Sequence, residues 1–268
     1  MVTRTVTGVV LAAVLFTALA LGGWWFSVLY MAAIGLSVFE MLKALKAAGH
    51  KPCIWPMALC TALSLPLLTM GLGESAVIMP LMTAACMITA AVVMFRKDPK
   101  LEDIVVSVLP LLAVVLPGMC MLALSRALSR EVELMLILFS FGVPLMGDTL
   151  AYFGGSMLGK HKLCPQVSPQ KSVEGAVAGL FGSMLFALIV WLIIGTRVQL
   201  PPVWHALVLG LLGGVAGQLG DLFASLIKRH CGVKDYGSIF PGHGGMMDRL
   251  DSVYWATVVM YIYLIWFM

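Results

Sequence analysis

Long apolar runs broken by short polar segments set the layout of this 268-residue chain. A helix that crosses a bilayer needs about 20 mostly apolar residues. Nine runs approach that length: about 5–22, 24–42, 54–72, 76–95, 104–124, 133–153, 173–195, 203–226 and 250–268. The first two are parted only by Gly22 and Gly23, so one long helix is the competing reading there. Segments between runs are short except 154–172 and 227–249, which hold most of the polar residues. The pattern predicts an all-α, polytopic integral membrane protein with about nine transmembrane helices. It reads as a single integral-membrane domain over 1–268, with N-terminal helices to about residue 130 and the candidate chemistry over 131–268.

Composition agrees. The chain is 61% hydrophobic and 11% charged, with a mean hydropathy of +1.01, where a soluble domain carries roughly 25% charged residues. All but three of the 17 Lys and Arg residues, the exceptions being Arg126, Arg130 and Arg197, fall at Arg4 or in alternate loops beginning with Lys43, Lys46 and Lys51. Cytoplasmic loops carry such an excess. The count therefore places the N-terminus and both polar loops in the cytoplasm of a multi-pass protein of the cell membrane. Arg4 followed by apolar residues to Leu21 has the look of a signal peptide, but further spans follow at once. The six cysteines form no CxxC pair and read as buried thiols rather than disulfides or a zinc site. Gly210/Gly214 and Gly213/Gly217 form two overlapping GxxxG pairs in the eighth run, which predicts close helix packing.

Acids matter more where they are expensive. A carboxylate deep in a span costs about 2.5–3.5 kcal/mol on insertion scales, and Asp148 and Asp221 lie within apolar runs. Asp221, Ser225 and Lys228 fall at i, i+4 and i+7, one face of a helix that runs out to the cytoplasmic loop. A structural salt bridge to a nearby Lys or Arg is the simple explanation for Asp221. Asp248 and Asp251, spaced i, i+3 at the start of the ninth run, favour a metal or substrate site instead. Converging carboxylates repel unless cations intervene, and hard oxygen ligands suit Mg²⁺. Lys228, Arg229, Lys234 and Arg249 flank these acids, and Lys160, Lys162 and Lys171 occupy the other polar loop. Carboxylates, Mg²⁺ and Lys/Arg together are what phosphoryl or nucleotidyl transfer requires. Gly242, Gly244 and Gly245 would let backbone approach a phosphate. His243 between them suits phosphate binding, proton transfer or a structural hydrogen bond equally. GGSMLGKH at 154–161 resembles a P-loop but ends in His161 and follows an apolar helix rather than a strand, which excludes one.

The segment SLIKRHCGVKDYGSIFPGHGGMMDRLD, 225–251, closely resembles the signature of the phosphatidate cytidylyltransferases, or CDP-diacylglycerol synthases. The matching positions are Ser225, Lys228, Arg229, Lys234, Asp235, Pro241, His243, Gly244, Gly245, Asp248, Arg249 and Asp251. GDTLAYFGGSMLGKHKLCPQVSPQKSVEG, 147–175, is similar to a second stretch of that family, with Leu150 in place of a glycine, Gln170 in place of a lysine and Ser172 in place of a threonine. Residues 1–130 match in hydropathy alone. The resemblance implies a nucleotidyltransferase of phospholipid biosynthesis that makes CDP-diacylglycerol and pyrophosphate from CTP and phosphatidic acid. It implies Mg²⁺ at Asp221 and Asp248, K⁺ as a second cation, and Asp251 as a further carboxylate of the catalytic centre. It also implies substrate binding by Lys171, Ser225, Lys228, Arg229, Lys234, His243 and Arg249. The partners implied are CTP, phosphatidic acid and the bilayer, with no nucleic acid; a homodimer stays open. A sibling enzyme acting on another lipid phosphate is the near alternative. An ion-coupled transporter using Asp148 and Asp221 is the distant one, disfavoured because the polar residues gather at one face.

Overall fold

The structure is a computed structural model. It describes every residue except Met1, Leu72, Ala127 and Leu128, and the side chains of residues 2–5, including Arg4 of the charge pattern, lie outside the described residues. Among the described residues nine helices form: α1 (Val2–Leu21), α2 (Gly23–Ala47), α3 (Trp55–Thr69), α4 (Glu74–Met94), α5 (Leu101–Leu124), α6 (Arg130–Leu158), α7 (Val173–Gly195), α8 (Trp204–His230) and α9 (Met247–Phe267). Each falls on a predicted run, and seven are long and apolar enough to cross a membrane. The protein is thus an all-α polytopic membrane protein. Its one addition is a short antiparallel hairpin in the 154–172 loop, β1 (Lys162–Cys164) with β2 (Ser168–Ser172).

One run departs from the expected length. Helix α3 has 15 residues, which at 1.5 Å per residue rise only about 22 Å, short of the roughly 30 Å hydrocarbon core. It is not long enough to count as the span the pattern predicted. The break between α1 and α2 is real: Gly22 adopts φ +61°, a left-handed conformation that L side chains avoid, and the chain starts a new helix there. Helices α2, α6 and α8 run past their apolar stretches, so that Lys43, Lys46, Lys228 and Arg229 are helical rather than in loops.

The chain forms two compact units that do not follow chain order. The first comprises Met1–Ser125 and His230–Arg249; the second comprises Arg126–Arg229 and Leu250–Met268. In the first, Phe26, Ile34, Met41, Leu45, Met57, Met119, Leu122 and Leu124 are fully buried. Close approach of α2 and α5 depends on Gly118, where a Cβ would lie 2.6 Å from Ile34 Cδ1. Between Pro110 and Pro117 helix α5 loosens into a π-type turn at Leu111–Val115, a place where wider turns are expected because proline lacks the amide that would continue the ladder. The α2–α3 loop is pinned by Asp103, which accepts the Lys51 amide at 3.2 Å, and by Arg96, which donates to the Lys51 carbonyl at 2.6 Å. His50 and His230 meet through their Nε2 atoms at 2.9 Å.

In the second unit the predicted GxxxG packing holds. A Cβ on Gly210 would lie 2.6 Å from Met184 Cα, and one on Gly214 would lie 2.7 Å from Ser183 Oγ, so α8 rests directly on the α7 backbone. Gly213 and Gly217 face Val143, Met260 and Pro144. A second glycine seam joins α6 to α7: a Cβ on Gly179 would lie 2.8 Å from the Gly147 carbonyl oxygen, and one on Gly182 would lie 2.9 Å from that of Met146. Of the six thiols, Cys53, Cys60, Cys120 and Cys231 are buried and Cys86 and Cys164 half-buried.

Candidate active site

The α6–α7 seam ends at the hairpin, and the hairpin is fastened to the first turn of α7. Ser172 is the N-cap of α7 and accepts the Gly175 amide at 3.1 Å, the job a threonine would also do. Glu174 reaches back to accept the Lys160 amide at 3.1 Å, the His161 amide at 3.2 Å and His161 Nδ1 at 2.6 Å. The Val173 amide donates to the His161 carbonyl at 2.9 Å. These bonds fix Lys171, the residue before the cap. Its Nζ lies 2.5 Å from Asp221 Oδ2 on α8. The Ser225 hydroxyl, one turn further along α8, donates to Asp221 Oδ1 at 3.5 Å, as the i, i+4 spacing predicted.

Lys171 and Asp221 line a cavity of about 590 Å³ together with Asp148, Tyr152, Ser156, Gln170 and Gln218. The Gln218 amide is held by a 3.0 Å bond to the Ala176 carbonyl. Leu150, where the family stretch has a glycine, packs over Gly182, whose missing side chain makes room for it. The departure is therefore absorbed by the helix seam and leaves the cavity wall intact. Lys228 on α8 is 9% exposed and Arg229 is exposed. Asp251 is 7% exposed, and its Oδ1 accepts the Ser252 amide at 2.7 Å.

In the first unit the loop 231–246 folds back on the start of α9. Asp248 is 8% exposed. Its Oδ2 accepts the Tyr236 amide at 2.8 Å and the Gly245 amide at 3.0 Å. Phe240 and Gly244 form a bridge, closed by Gly244 at φ +79°. The glycines anticipated as phosphate contacts thus have structural duties: Gly244 makes the turn, and Gly245 leaves space for the carboxylate of Glu40 on α2. Glu40 Oε2 accepts the Met247 amide at 2.9 Å. His243 is half-buried; its amide donates to the Phe240 carbonyl at 2.8 Å, and its Nδ1 has no hydrogen-bond partner among the described residues. Lys234 and Arg249 are exposed.

The predicted residues are therefore divided between the units. Lys171, Asp221, Ser225, Lys228, Arg229 and Asp251 belong to the second, and Lys234, His243, Asp248 and Arg249 to the first. Within the second, the structure brings Lys171, Asp221 and Ser225 together. Sequence reading missed Glu40 and the positioning role of Glu174. Glu40 carries the signal applied to Asp221, an acid inside an apolar run, here the run 24–42, but it stands near Lys43 and Lys46 and outside the motif stretches.

Asp221 is a carboxylate on a polar cavity with Asp148 on the same wall. Among the described residues no three His, Cys, Asp or Glu side chains are grouped to hold a metal by themselves. The side-chain donors on the cavity, among them Asp148, Asp221, Gln218 and Ser156, are oxygen donors, the chemistry that Mg²⁺ takes together with water and phosphate oxygens. The Lys171 ammonium meanwhile supplies the positive charge that the Asp221 carboxylate requires.

Fold and site define a polytopic helical membrane protein with a charged, oxygen-rich cavity among apolar helices. The model of the cytidylyltransferase family matches residues 2–267, and the chain belongs to that family. It is similar to the phosphatidate cytidylyltransferase of Staphylococcus saprophyticus, 44% identical over 137 residues, which cover 51% of this chain and 52% of the relative. The enzymes of that name from Staphylococcus aureus and Staphylococcus epidermidis are 43% and 41% identical with the same coverage. The matched region thus spans about half the length of these curated relatives.

Proposed function

We propose that this protein transfers the cytidylyl group of CTP to phosphatidic acid. A phosphate oxygen of the lipid attacks the α-phosphorus of CTP, the bond from that phosphorus to the β-phosphate oxygen breaks, and pyrophosphate leaves with the electron pair. The nucleophile is already anionic near neutral pH, so no dedicated base is demanded. The observation that carries this reading is the Lys171–Asp221 pair, 2.5 Å apart in a cavity that Asp148, Gln170 and Gln218 also line, among membrane-type helices. A cation and a carboxylate held there offer a phosphate one partner and a divalent ion the other. When bound, Mg²⁺ neutralises triphosphate charge and stabilises the leaving pyrophosphate; Asp221 and Asp248 are the residues the family resemblance assigns to it, with K⁺ as a second ion and Asp251 as a further acid. Lys171, Lys228, Arg229, Lys234 and Arg249 bind phosphates, with Ser225 and His243 beside them. The excess of Lys and Arg in the polar loops supports a site at the cytoplasmic side of the cell membrane, where a bilayer substrate meets a dissolved one.

The test is incubation of purified protein with labelled CTP and a panel of lipid acceptors. Labelled CDP-diacylglycerol from phosphatidic acid supports the proposal. Label on a different lipid phosphate assigns the sibling reaction, and no labelled lipid at all removes nucleotidyl transfer and returns the transporter reading. Chelation of divalent metal is expected to stop product formation, with Mg²⁺ readdition restoring it; turnover that persists in excess chelator overturns the metal assignment. Lys171→Ala is expected to raise the KM for CTP by about tenfold while leaving most of kcat, because neighbouring cations share the phosphate charge. Complete loss would instead mark Lys171 as an irreplaceable ligand.

A further inference from the structure

Glu40 is 2% exposed, on a helix that is apolar from Trp24 almost to its cytoplasmic end. Such burial of an acid needs compensation, and the first amide of α9 supplies part of it. Oε2 takes the Met247 amide at 2.9 Å. Gly237 and Gly245 lie so close to the carboxylate that a side chain on either would overlap it; Gly237 faces Oε1 and Gly245 faces both oxygens. Asp248 grips the same stretch from the other side through the Tyr236 and Gly245 amides. Gly245 is therefore held between two carboxylates, with its amide on Asp248 and its Cα against Glu40. Any shift of Glu40 moves Gly245 and Met247, and with Gly245 the donor amide that orients Asp248. All of these residues belong to the first compact unit.

We infer that Glu40 is a positioning residue for Asp248: a carboxylate on α2, about two hundred residues away in sequence, sets the orientation of the acid that the motif assigns to the metal. This rests on the proposed cytidylyl transfer for its functional consequence, but not for its geometry. Glutamine retains the volume and one carbonyl oxygen for the Met247 amide, whereas alanine retains neither. Partners that orient a ligand are worth about 10–100-fold in metal affinity or activity.

The experiment compares the full-length parent, Glu40→Gln and Glu40→Ala in detergent. Three readouts are taken: hydrogen exchange of the Tyr236, Gly245 and Met247 amides, the Mg²⁺ concentration for half-maximal CDP-lipid formation, and the melting temperature. Glu40→Ala is expected to speed exchange at those amides at least about tenfold and to raise the Mg²⁺ requirement about 10–100-fold. The KM for the lipid is expected to stay within about twofold, because Glu40 bonds the Met247 amide and packs on Gly237 and Gly245 rather than lining the cavity. Glu40→Gln is expected to return both altered readouts to within about threefold of the parent. Unchanged exchange in Glu40→Ala overturns the inference, as does a Gln variant no better than Ala. An Ala variant that melts early and loses activity and lipid binding alike also overturns it, in favour of a purely structural acid. If Glu40→Ala does not fold, Gly245→Ala replaces it, since the added methyl displaces the same backbone; normal Mg²⁺ dependence there overturns the inference. Exchange needs no substrate, so a parent protein that makes no CDP-lipid defeats the proposed function while the amides still decide whether Glu40 holds the loop.

Discussion

Asp221→Ala is expected to extract and melt like the parent and yet make no measurable CDP-lipid, a loss of more than about a hundredfold, since even groups that merely orient a ligand are worth about 10–100-fold. The Asp221 side chain is 28% exposed and lines a cavity rather than a core, so its removal leaves no void of the kind that destabilises. Lys171, 24% exposed on the same cavity, can be solvated in its absence. What disappears is the one carboxylate that faces both the Lys171 ammonium and the Ser225 hydroxyl. Asp221→Asn keeps the shape without the charge and is expected to be equally inactive. Enzyme assay beside a thermal melt separates the outcomes: near-normal turnover sinks the assignment, and a melt that falls together with activity makes the ion pair structural. Asp248→Ala is expected to differ. It removes the acceptor of the Tyr236 and Gly245 amides, so it lowers the melting temperature as well as turnover, because unpaired buried amides cost about 1–3 kcal/mol each.

Gly210→Ala is expected to produce the largest loss of stability from the smallest change. The added methyl would lie 2.6 Å from Met184 Cα and 2.9 Å from the Ser183 carbonyl oxygen. Both are backbone atoms, so no rotamer can yield and α7 and α8 must separate. Overpacking of this kind costs about 1–3 kcal/mol, and without a hydrophobic force between helices in lipid, close packing is what holds them. Gly35→Ala in α2 is the control, since a Cβ there meets nothing within 4 Å. It is expected to be neutral or stabilising by up to about 1 kcal/mol through helix propensity. Melting in detergent checks the pair; a Gly210→Ala protein that melts no lower than Gly35→Ala would show that the seam tolerates separation.

The motif residues were legible in the sequence because their chemistry is local. Asp221 and Ser225 share a helix face by spacing alone, and the structure places the hydroxyl on the carboxylate. Lys171 was legible as a cation in a polar loop, but not as the partner of Asp221. That pairing depends on Ser172 and Glu174 fastening a hairpin which no periodicity announced. Leu150 read as a departure from the family stretch and proved to be packed over Gly182. Gly245 was legible as a place where backbone could approach a phosphate, but not as the space that admits Glu40.

The sequence by itself determined the number and type of the helices, because helix formation in an apolar setting follows from run length and from the need of every backbone amide for an internal partner. It also determined which residues carry charge at positions where charge is costly. Only the tertiary structure decided that α3 is too short to cross, that α6, α7 and α8 meet along glycine seams, and that Glu40 holds the backbone to which Asp248 binds. Run length is a property of one segment, whereas a glycine seam or a buried carboxylate is defined by the surface it meets. That surface comes from residues distant in the chain, and composition does not encode it.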